Sequence, residues 1–96
     1  MRRRYIVSYD ISDEKRLRLI FKVMRDFGDH IQYSVFFCEL NHVERIRMEM
    51  RIKDVINERE DQILIVDLGK TTSNLEDQIF YVVGKPLIFQ SRAKIV

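Results

Sequence analysis

A chain of 96 residues with a formal charge of +2 makes one domain with a modest core, which a partner often completes. Charged residues at 33% beside apolar residues at 46% exclude disorder. No apolar run approaches the roughly 20 residues of a spanning helix, so a membrane protein is excluded too. One cysteine, Cys38, precludes an internal disulfide. It lies in an apolar run, reads as a small buried hydrophobe, and points to a reducing, cytoplasmic setting. The basic start, residues 1–4, leads into a strand pattern and is not expected to be a signal peptide.

The charge is uneven. Residues 1–25 carry eight Lys/Arg against three Asp/Glu, a net +5. Residues 26–78 carry six against twelve, a net −6, and residues 79–96 carry three against none. Basic ends make a polyanionic partner plausible.

Residues 4–10 alternate, with Tyr5, Val7 and Tyr9 on one face and Arg4, Ile6, Ser8 and Asp10 on the other. This is a first strand. Ser12 reads as an N-cap, with Asp13 and Glu14 in a favoured first turn. The helix runs to about Phe27, and Gly28 ends it. Leu17, Ile20, Phe21, Met24 and Phe27 share one arc of this helix, and Lys15, Arg18, Lys22 and Arg25 share a separate one.

Residues 30–40 are rich in β-formers and apolar on both faces around 33–37, which suits the middle of a sheet. The length allows a bent strand or a very short hairpin. Asn41 caps a second helix over about 42–57, with Met48, Ile52, Val55 and Ile56 as its stripe and Val43, Ile46 and Met50 widening it. Residues 62–68 form a strand closed by Gly69. A polar loop over 70–77, a short strand over 79–83, a break at Gly84-Lys85-Pro86 and pairing over 87–89 complete the chain. The order predicts an α+β fold. It is a ferredoxin-like βαββαβ sandwich, with an antiparallel sheet and both helices on one face. Residues 1–78 form its core, and 79–96 are a leftover strand and tail that invite pairing with a second copy.

One Cys and two scattered His cannot build a zinc site, and three distant glycines make no phosphate loop. His30 and His42 read as turn and helix-start residues. Asp10 ends an apolar strand before a helix, a position that can hold a divalent cation. The plainer role is support of the helix start, and local sequence favours that. Two copies of Asp10 brought together would shift the balance, since paired carboxylates need a proton or a cation between them. The basic arc is either a solvated helix face or a phosphate-binding surface, joined by Arg2, Arg3 and Arg4 and by Lys85, Arg92 and Lys94. Tyr5, Tyr9, Tyr33 and Phe37 can stack on bases or pack in the core.

Tyr9-Asp10-Ile11-Ser12-Asp13 followed by Lys15-Arg16-x-Arg18 resembles the opening of the CRISPR-associated protein 2 family. Gly28 followed by Gln32-Tyr33-Ser34-Val35-Phe36 and Cys38-Glu39-Leu40 is similar to the same family, as is Asp61-Gln62-Ile63-Leu64-Ile65. The resemblance implies a ferredoxin-like homodimer, with each C-terminal strand added to the partner's sheet. It implies a metal-dependent endonuclease of spacer acquisition, acting on RNA or DNA. Catalytic Asp10 of each subunit would share one Mg²⁺, or another divalent cation such as Mn²⁺. Arg2, Arg3, Lys15, Arg16, Arg18, Lys22 and Arg25 are the expected nucleic-acid contacts. Integrase dimers are the further partners, and no membrane is involved. The competing expectation is a non-catalytic dimeric scaffold that bridges integrase dimers and binds duplex DNA. Remoter ones are a messenger-cleaving toxin and a ligand-binding regulatory module.

Overall fold

In the computed structural model, which describes residues 1–71 and 80–88, the alternation of the first strand is realised residue by residue. β1 (Arg3–Asp10) buries Tyr5, Val7 and Tyr9 and turns Ile6, Ser8 and Asp10 to the opposite face. It is followed by α1 (Glu14–Arg25), β2 (Gly28–Gln32), β3 (Val35–Leu40), α2 (His42–Lys53) and β4 (Gln62–Lys70). The strands lie in the order β2-β3-β1-β4, and every neighbouring pair is antiparallel. This is the ferredoxin-like order, in which each helix carries the chain past an intervening strand. Both helices lie against the face that carries Tyr5, Val7 and Tyr9.

The core forms where these faces meet. Ile20, Val23, Met24 and Phe27 come from α1 and its end, Met48 and Ile52 from α2, and Phe36, Cys38 and Leu40 from β3. Cys38 is fully buried, as its apolar neighbours predict. Asn41 caps α2 reciprocally: its side chain accepts from the Glu44 backbone N–H, and the Glu44 carboxylate accepts from that of Asn41. That closes two otherwise orphaned donors.

Several expectations are corrected. Asp13, not Ser12, caps α1, accepting from the Arg16 backbone N–H at 2.9 Å. Val43, Ile46 and Met50 do not widen the buried stripe of α2; all three are exposed. Over residues 30–40 the hairpin, one of the two alternatives left open, is the one formed, turning at Tyr33-Ser34. β4 does not stop at Gly69. It passes through that glycine at a bulge opposite Arg4/Tyr5, where φ is 95°, a value that glycine adopts without strain.

Gly28 does not end α1 either, since the C-cap is Asp26. It opens β2, and its role is close approach. A Cβ there would lie 2.4 Å from the Phe37 carbonyl oxygen and 2.5 Å from Cys38 Sγ. Gly28→Ala is therefore expected to destabilise the fold by about 3 kcal/mol. The urea midpoint should fall while the slope stays constant.

Of the strand expected over 79–83, residues 80–83 are irregular and Ile79 lies outside the described residues, as does Phe89 of the 87–89 pairing. Arg92, Lys94 and most of the 70–77 loop also lie outside them. Among the described residues no helix is long and apolar enough to cross a membrane.

Candidate functional site

The phase of β1 sets the position of Asp10. It is the last residue of the strand, exposed, and in register with Gln62 on the sheet face that the helices leave uncovered. That face is mixed: the Arg4–Glu39 pair lies on it, Phe37 is covered by the Phe80 ring, and an apolar patch stays exposed on β4. Leu64 and Val66 of β4 share it with Ile6 and Ser8, and are 57% and 41% exposed. Among the described residues no cluster of three or more His, Cys, Asp or Glu could hold a metal. Among the described residues the end of β1 therefore offers one hard oxygen ligand, Asp10. This suits Mg²⁺ or Mn²⁺, which keep much of their water shell and need one or two carboxylates. The residues fit such an ion when a second copy supplies the other carboxylate.

The loop after Asp10 is held by a carboxylate that lies 49 residues from Ser12 in the chain. Asp61, between α2 and β4, has a fully buried side chain. Its Oδ1 accepts from the Ser12 backbone N–H at 3.0 Å, and its Oδ2 accepts from the Asn57 backbone N–H at 2.8 Å. Arg16 closes the network, donating from Nε to Asp61 Oδ2 at 2.8 Å and from Nη2 to Asp61 Oδ1 at 3.2 Å. The same Nη2 reaches Glu60 at 3.1 Å. The hydrogen bonds from Arg16, and then those from Asn57 and Ser12, hold the Asp61 carboxyl well below the usual carboxylate range.

Arg16, expected to contact nucleic acid, is thus committed to this latch. Arg2 is tied to Glu44 at 3.0 Å and to Glu39 at 3.6 Å, and Arg3 to Asp67 at 3.1 Å. Lys15, Arg18, Lys22 and Arg25 remain. All four are exposed, and among the described residues none is ion-paired. Their spacing of three, four and three residues keeps them on one line along α1. Arg25 also lies over the Phe21 ring, 5.7 Å from its centroid. The four aromatics separate as well. Tyr5, Tyr9 and Phe37 are buried, whereas Tyr33 at the hairpin tip is 93% exposed.

Sequence reasoning missed the role of Asp61. Its one signal is an acid placed directly before the apolar alternation of β4, a position where a charge is buried only if it is paired.

A family model for the CRISPR associated protein Cas2 matches residues 1–74. The "CRISPR-associated endoribonuclease Cas2" of Geobacter sulfurreducens is 49% identical over 65 residues, 68% of either chain. The "CRISPR-associated endoribonuclease Cas2 2" of Thermodesulfovibrio yellowstonii is 47% identical over 68 residues, 71% of this chain and 75% of that one. Among solved structures, Streptococcus pyogenes Cas2 at pH 6.5 superposes with a TM-score of 0.69 at 27% identity. That superposition covers 84% of this chain and 99% of the other.

Proposed function

The chain belongs to the CRISPR associated protein Cas2 family, and we propose that it is an endonuclease of spacer acquisition that hydrolyses RNA phosphodiester bonds as a homodimer. One observation carries this reading. Asp10 stands on a sheet face with an exposed apolar patch, Leu64 and Val66, and the next helix presents a line of cations that make no ion pair among the described residues. An exposed apolar patch of this kind suits another protein surface, and a two-fold axis through it would use the same patch on both chains. Such an arrangement brings the two Asp10 carboxylates toward each other. Together they would hold one divalent cation, which supplies polarisation of a phosphoryl oxygen and a bound water of lowered pKa. Lys15, Arg18, Lys22 and Arg25 bind the phosphates and set the strand's path. The Asp61 latch fixes the loop that follows Asp10. In this reading residues 79–96 add to the partner's sheet; most of them lie outside the described residues.

That Asp10 stands there without a second carboxylate among the described residues favours a second reading. The dimer would then be a scaffold that clamps duplex DNA between integrase dimers, with Asp10 serving the interface. Both readings place phosphates on α1. The double variant Arg18→Glu/Lys22→Glu is expected to lose more than tenfold in affinity for single-stranded RNA. Its plot of log affinity against log salt should be shallower by roughly 1.4, the value for two lost phosphate contacts. Unchanged affinity and slope would remove α1 from the interface.

A further inference from the structure

Between α1 and the β2–β3 turn lies an open cleft of about 590 Å³, in the size range of sites for small organic groups. Its floor is apolar, formed by Leu17 and Phe21 of α1 with Tyr9 behind them. Leu17 is 39% exposed, an unusual state for a leucine on the core side of a helix. Tyr33 stands at the mouth with its ring almost wholly in solvent. Its φ of 28° is a conformation that a bulky residue rarely adopts and that tends to persist at functional positions. Arg18 and Lys22 form the rim. They are one turn apart, about 6 Å along the axis, and sit in the middle of the cation line.

We infer that this cleft is a subsite for one nucleobase of a single strand. The base would turn in from a backbone whose phosphates follow α1, stacking against Tyr33 over the Leu17–Phe21 floor. The occupant must join an apolar, planar group to an anionic backbone on the same side, and a nucleotide does so. Tyr33 is the one tyrosine of the four expected candidates for stacking that the fold leaves open to a ligand. Stacking on an aromatic ring is indifferent to base identity, so the subsite adds affinity for single strands with little sequence preference. The inference rests on the nucleic-acid reading above and adds the requirement for an unpaired base.

The test uses the full chain, a chelator to prevent cleavage, and two strands of equal length: a short single-stranded RNA and its fully abasic counterpart. Tyr33→Asn removes the ring and suits the positive φ; Tyr33→Phe keeps the ring. Tyr33→Asn should bind the ordinary strand about tenfold more weakly than the parent protein. It should bind the abasic strand as well as the parent does, and Tyr33→Phe should match the parent on both. A 2-aminopurine base in the RNA should be quenched by the parent protein and by Tyr33→Phe but not by Tyr33→Asn. If the parent binds both strands equally, or Tyr33→Asn binds RNA like the parent, the subsite is refuted while the phosphate surface stands. If the parent binds neither strand, the subsite and the nucleic-acid reading fall together.

Discussion

Asp10→Asn is expected to lower chelator-sensitive cleavage of RNA by about 100-fold or more while leaving the dimer and RNA affinity intact. Asparagine keeps the volume and hydrogen-bonding shape of the side chain and removes only its charge. Asp10 is exposed at the end of β1, so no packing is lost and the melting temperature should hold. Binding depends on Lys15, Arg18, Lys22 and Arg25, which lie on another element. Affinity should therefore be unchanged or slightly stronger, since one negative charge near the phosphates is gone. Val66→Glu supplies the complementary arm. Val66 lies on the same sheet face and is 41% exposed in the single chain, so a charge there is tolerated in the monomer and costly in a face-to-face dimer. It should convert the protein to monomers in sedimentation and abolish cleavage with Asp10 untouched. If both variants cleave like the parent, the catalytic assignment fails and the scaffold reading is the one that remains.

How much of this was legible in the sequence depends on the range of the forces involved. The period-2 pattern of β1 is local, and its phase alone places Asp10 on the face opposite Tyr5, Val7 and Tyr9. The Asn41–Glu44 capping box spans three residues and is equally readable. The start of α1 is not. Ser12 and Asp13 are both good caps, and the choice falls to Asp13 because the Ser12 hydroxyl is engaged with Asp61, Glu60 and the Arg16 guanidinium. Gly28 fails as a helix stop for a similar reason, since the demand for a missing side chain comes from Phe37 and Cys38 across the hairpin. Arg16 looks like its neighbours Lys15 and Arg18 until folding brings Asp61 and Glu60 to it. Tyr33 looks like Tyr5 and Tyr9 until the hairpin turn lifts it out. The ladder of elements was local knowledge. The sorting of like residues into core, latch and surface was tertiary.

The latch itself gives the largest expected effect on stability. Asp61→Ala leaves the Ser12 and Asn57 backbone N–H groups and the Arg16 guanidinium without their shared acceptor. Breaking a buried, hydrogen-bonded ion pair from one side is among the most damaging single changes. A fall in melting temperature of about 10 °C or more is expected for a domain of this size. Asp61→Asn should recover only part of the loss, because its amide can accept from one backbone N–H but presents a donor toward Arg16. The parent protein should also show the latch in its acid limb. The Asp61 carboxyl is held low in the folded chain and titrates near the ordinary value of about 4 when unfolded. Its contribution is complete above about pH 4. It is lost as pH falls below that, since the unfolded state takes up the proton first. Asp67, held low by the Gly69 N–H and Arg3, acts in the same direction. In Asp61→Asn the decline of melting temperature below pH 4 should be shallower, with the Asp67 share left. A decline as steep as the parent's would show that Asp61 is not the group responsible. The latch also joins the loop after Asp10 to the start of β4. Asp61→Ala should therefore lose cleavage at temperatures where it is still folded, while the α1 cations go on binding RNA. That split between chemistry and binding separates a loosened Asp10 from a merely unstable protein.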